Sequence, residues 1–244
     1  AHFENVEFKT IRKSAGESSQ YNRLEEEDLF IFDIDGWTFQ EITWPVSSLD
    51  IGIAANAVSL INVPVPRNLV IKGKNSIIEL TEVGHDLYVL DTSTIEVSLL
   101  KGWLFIGGHN SKVKNTVIGN TLAFDSLDGD ERWENIVLEN CVYKGDIQFR
   151  QSVSTKEENA PQFIGGIIHG KFHDLSPNVR FNGVTFADRG EPTRIDNEVY
   201  LHDVIFEGDL AIVHELNTQN AFKGGQVQGD LFVNAREVFL YDTE

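Results

Sequence analysis

The sequence predicts an all-β protein, a parallel β-helix in which the chain winds into stacked coils. Three observations predict it. An apolar-x-Gly-Asp-apolar-x-apolar phrase recurs at residues 143–149, 206–212 and 227–233. Gly208 and Gly229 are 21 residues apart, and Gly145 precedes Gly208 by 63, three times that spacing. The apolar pieces between these marks are short and alternate with polar residues, and no long helical periodicity interrupts them. A fixed period of strand-like pieces is the signature of a solenoid. Coils of about 21 residues, each with three short strands and three corners, account for the pattern.

The elements follow in order. Residues 1–60 read as a strand-rich N-terminal cap region, with a dense strand run at Leu29–Phe39. Residues 61–244 read as the β-helix proper. Asn68–Leu80, His85–Val97, Leu104–Gly108 and Val113–Phe124 give its first coils. Later strand pieces include Ile147–Phe149, Asn178–Phe181, Val184–Phe186, Glu198–Leu201 and Val204–Phe206. Gly, Asn and Asp sit between the pieces, as tight corners require. Val199, Leu201, Val204 and Phe206 are expected to point into a continuous core. Polar stretches at 13–22, 126–132 and 152–160 read as excursions from the coil, places where a rigid scaffold carries variable loops. Near the end, Glu237–Asp242 repeats the phrase Glu198–Asp203. An open last coil is therefore expected, covered by a partner protein or by another copy, or else continued in a longer chain, the first two being favoured because bare strand edges invite pairing.

Composition narrows the function classes. The 244 residues are 41% hydrophobic and 24% charged, enough for a packed core. Against 38 Asp and Glu stand 20 Lys and Arg, a net charge of −18, with no basic cluster. Nucleic acid and anionic membrane are thus not expected partners. No apolar run approaches the roughly 20 residues of a bilayer span. The first residues do not read as a secretory leader. The lone Cys141 lies within a strand-like run and reads as a small buried side chain.

Residues 178–186 (NVRFNGVTF) and 198–206 (EVYLHDVIF) resemble coils of the right-handed parallel β-helix proteins, a superfamily spanning pectate lyase-like enzymes and phage tailspikes and fibres. The resemblance covers most of residues 60–244. It implies a right-handed column and engagement of long polysaccharides along its side. The catalytic phrases of the pectin-degrading hydrolases are absent: the nearest match is Gly107-Gly-His109-Asn, and there is no Asn-Thr-Asp, Asp-Asp, Gly-His-Gly or Arg-Ile-Lys.

Candidate site residues are few. Asp146, Asp209 and Asp230 follow the repeated glycines and should share one corner, with Asp209 and Asp230 on adjacent coils. Stacked carboxylates of this kind serve as corner residues, as a Ca2+ site or as a catalytic pair. Trp133, beside an acidic stretch, is a candidate to stack on sugar. His169 and His173 are four apart but flank a strand, so they need not share a face.

The expected function is a non-enzymatic structural or adhesive β-helix, a phage virion component of tail-fibre or tailspike type, located on a virion or outside the cell. It would assemble with itself, as a trimer by analogy, or with a partner, and would meet a surface glycan. No cofactor is expected beyond Ca2+ at the aspartates. The alternative is a polysaccharide lyase or glycoside hydrolase with carboxylates on the side of the helix, assisted by Lys171, Arg180 or a metal.

Overall fold

The structure, a computed structural model, describes residues 2–4, 29–44, 50–125, 134–150, 159–213, 222–235, 238 and 240–243. Among these every strand pairing is parallel, and the chain forms a β-solenoid. One coil shows the plan. Lys112–Lys114 forms a first face and Val117–Ile118 a second. Leu122–Phe124 forms a third. Each strand pairs with its counterpart on the coils above and below: Val113 lies between Ile95 and Leu138, Ile118 between Leu100 and Tyr143, Ala123 between Phe105 and Gln148. The pairing is already in place in the early coils, where Thr38–Gln40 pairs with Ser59–Ile61, which pairs with Ile77–Glu79.

A single backbone device turns the chain from the first face to the second. Asn115, Asn140, Gly165, Gly183, Asp203 and Gly224 all have φ between +49° and +67°. Asn, Asp and Gly are the residues that tolerate this left-handed conformation. The N–H of each donates to a carbonyl of the next coil, from Asn115 to Glu139 at 2.9 Å through Gly224 to Tyr241 at 2.8 Å. In the coils at Ser76–Val83 and Ser93–Leu100 the two faces run on as one eight-residue strand. Thr81 and Ser98 occupy the bend there, and neither has positive φ.

The interior is a set of vertical columns. Val199, Leu201, Val204 and Phe206 are all 0–1% exposed, as the alternation predicts. Aromatic rings lie over one another: Phe124 on Phe149 at 4.7 Å and Phe186 on Phe206 at 4.7 Å, both nearly coplanar. Cys141 is fully buried among them, and burial pushes its thiol up from its ordinary value.

Coil length varies while register does not. The 21-residue spacing read from Gly208 and Gly229 holds there, since Leu210 pairs with Leu231. Many coils are shorter, about 18 residues, as from Leu69 to Leu87 or Leu104 to Leu122. From Tyr143 the column passes to Ile168, Phe186 and Phe206, so the 63 residues between Gly145 and Gly208 are three coils of unequal length. The lengthened steps Leu122 to Ile147 and Ile147 to Phe172 carry their extra residues at the corner between the third face and the first, whereas the longer step from His2 to Thr38 has its extra residues, 5–28, between a first-face and a third-face strand.

Candidate corner and outer-face site

The position at the entry to the third face forms a column of its own: Asp50, Asn68, Asp86, Trp103, Thr121, Asp146 and Lys171, and later Pro192, Asp209 and Asp230. All three predicted aspartates therefore share one corner. Asp209 and Asp230 are neighbours in it; Asp146 lies several coils away. Their chemistry there is specific. A side-chain oxygen of one coil accepts the N–H of the next: Asp50 from Asn68 at 3.0 Å, Asn68 from Asp86 at 3.0 Å, and Asp86 from Trp103 at 2.8 Å. Asp146 accepts from Lys171 at 2.9 Å and Asp209 from Asp230 at 2.8 Å. Asn68 performs the same task without a charge, so the geometry asks for an oxygen acceptor, not for a carboxylate. Among the described residues no group of three or more His, Cys, Asp or Glu is placed to hold a metal ion.

Asp146 does more than its counterparts. Its second oxygen lies 2.8 Å from Nε2 of His173. Burial pushes its carboxyl up, but the Lys171 N–H and the His173 hydrogen bond outweigh this, leaving it below the usual carboxylate value. A depressed folded-state pKa contributes stability above the unfolded carboxylate pKa of about 3.9, and the contribution is lost as pH falls through the folded value. Urea midpoints taken from pH 6 down to pH 3 should therefore fall less steeply in Asp146→Asn than in the parent; equal slopes would refute the assignment.

Of the residues of the enzymatic alternative, Lys171 stands beside Asp146, whereas Arg180 lies on a different face. Lys171 Nζ pairs with Glu191 at 2.8 Å on the corner between second and third faces. Arg180 lies on the first face, its guanidinium 5.1 Å from the Tyr200 ring centre. His169 follows a second-face strand, whereas His173 lies on the third face. Trp133 and the body of each predicted excursion fall outside the described residues.

One feature was not singled out from the sequence. The third-face strands Leu69–Ile71, Leu87–Val89, Leu104–Ile106 and Leu122–Phe124 are apolar at all three positions. The middle residue of each must point outward, away from the core. Val70, Tyr88, Phe105 and Ala123 accordingly form a second apolar cluster outside the column, with Ile31, Leu90 and Trp103 packed on it. Tyr88 stacks on Phe105 at 4.6 Å, and Trp103 on Phe105 at 5.4 Å. The Arg150 guanidinium lies 5.4 Å from the Trp103 ring centre and 3.4 Å from Asp125. On the next coils the same outward column turns polar, through Gln148 to His173.

This patch adjoins the elongated corner. Asp125 and Arg150 are the last described residues before the two lengthened turns from third face to first. The far feet of those turns are tied together, Asn159 donating to Glu134 at 3.1 Å and the Asn135 N–H to the Asn159 carbonyl at 2.8 Å. At the end of the column the last described coil leaves apolar groups open: Leu231 is 40%, Phe232 49% and Val233 49% exposed, although Leu210 and Ile212 beneath two of them are fully buried. No helix of the described residues is long and apolar enough to cross a membrane. Comparison with family models, curated proteins and solved structures found no match.

Proposed function

We propose that this protein is a non-enzymatic structural or adhesive rod, of the kind that phage virions carry as tail fibres or tailspikes, and that its contact edge is the elongated corner beside the outer third face. The observation that carries this reading is the pair of lengthened connections from third face to first, residues 125–136 and 150–161, on successive coils beside Trp103 and Arg150. In solenoids, insertions gathered on one face mark the surface used for contact. The column supplies stiffness, and the corner supplies the variable chemistry. A surface polysaccharide is the intended ligand, held by Trp103, Arg150 and the polar groups Gln148 and His173.

The aspartates support the non-enzymatic side. Asp146 and Asp209 each use an oxygen to lock the next coil, which gives both a structural reason to be there. The test is incubation with a panel of neutral and acidic polysaccharides. Retention of a polysaccharide with no chain cleavage is expected, weakened by Trp103→Ala and by Arg150→Ala. New reducing ends or unsaturated products that vanish in Asp209→Asn would overturn the reading in favour of a polysaccharide lyase or hydrolase.

A further inference from the structure

The second face carries an outward column that differs from the others. Leu99, Val117, Val142, Ile167, Thr185 and Ile205 stack in unbroken register, each paired to the next. All point away from the core, since the next residue of each strand is the buried one. Ile167 is 37% exposed and the rest are half-buried. Five coil steps of about 4.8 Å make this a stripe roughly 24 Å long. A straight column of five aliphatic side chains and one threonine on a rigid flat face is unusual on a solvated surface and marks a contact site.

The charges beside the stripe say what fits. In the column one position beyond each second-face strand, the cation Lys101 belongs to an early coil and the anion Glu207 to a late one, and the positions between them are Gly119, Lys144, His169 and Ala187. A second copy laid face to face with its axis antiparallel brings each flanking column against itself, reversed in direction. Lys101 then faces Glu207 of the other copy, Leu99 faces Ile205, and Val142 faces Ile167. Parallel stacking instead sets each coil against its own equivalent and makes no such pairs. We infer that the second face is a twofold, antiparallel dimer interface for another copy of this chain.

The chain order gives the dimer a consequence. The elongated corner joins the third face to the first, so it is the corner the second face does not touch. Pairing through second faces leaves both contact edges outward, on opposite sides. The inference stands apart from the glycan reading, because it uses none of the same residues. It replaces the trimer implied by resemblance with a dimer. A face one short strand wide, with its two corners, buries less than the roughly 800 Å² per partner of a stable interface. Association is therefore expected in the micromolar range, not tighter.

Sedimentation equilibrium from about 1 to several hundred micromolar tests it. The parent should pass from one to two chains over that range. Ile167→Asp, on the outer surface, should remain a monomer throughout with unchanged circular dichroism and melting. Glu207→Lys should weaken the dimer roughly three- to tenfold, two symmetry-related pairs being lost at once. Adding Lys101→Glu to it should restore affinity, although Lys101 also bridges Glu82 at 2.6 Å within its own chain. A parent that stays monomeric, a dimer indifferent to Ile167→Asp, or open-ended polymers typical of association through the last coil would each overturn the inference.

Discussion

Phe206→Ala should be the most damaging single truncation, lowering stability by about 3–5 kcal/mol. Phe206 is 1% exposed and lies between two coils' aromatics, on Phe186 at 4.7 Å and edge-on to Phe222 at 5.7 Å. Its removal leaves a void with rigid backbone above and below, which cannot collapse because the strands are fixed by pairing on both sides. In a solenoid each coil is stabilised mainly by its neighbours. Hydrogen exchange should therefore speed first from Val199 to Val227 and much less around Val113. A loss below about 1 kcal/mol, or exchange that rises uniformly, would show that the interior is not built as stacked columns.

Gly166→Ala should cost nearly as much by a different route. Gly166 has φ of +85°, and a Cβ there would stand 2.1 Å from the Cys141 carbonyl oxygen of the coil below. The left-handed conformation alone costs an alanine about 1–2 kcal/mol. Relief of the clash requires the coils to part, which weakens the Ile167-to-Cys141 and Thr185-to-Gly166 hydrogen bonds, both 3.0 Å. Together these amount to roughly 3–4 kcal/mol. Gly190→Ala is the control, with φ of +71° and no atom within 4 Å of the added carbon. Urea midpoints should separate the two variants clearly. Equal effects would mean that backbone strain, and not the close approach of coils, sets the need for glycine.

The contrast between these positions shows what the sequence makes legible. Interior columns were readable because alternation in Val199–Leu201 and Val204–Phe206 states directly which side chains face in. The shared corner of Asp146, Asp209 and Asp230 was readable because each follows a glycine and precedes an apolar strand. Coil length was harder. Register is fixed by hydrogen bonds between strands, whereas the chain between strands is free to lengthen, so three unequal coils between Gly145 and Gly208 add up to a multiple of 21. The outer aromatic ladder was missed although its signal is present: Leu87-Tyr88-Val89 and Leu104-Phe105-Ile106 break the apolar-polar alternation at the outward position. That Arg150 closes over Trp103 could not be read, because they meet two coils apart along the column and 47 residues apart in the chain.

The unequal coils carry a practical consequence. Strand pairing proceeds undisturbed from Phe105 to Ala123 to Gln148 to His173 while the connecting segment more than doubles in length. The junctions after Asp125 and after Arg150 are thus natural grafting points: a foreign peptide spliced there would be displayed at a fixed height along a stiff spine, and two such peptides on successive turns would sit one above the other at the spacing of a single strand.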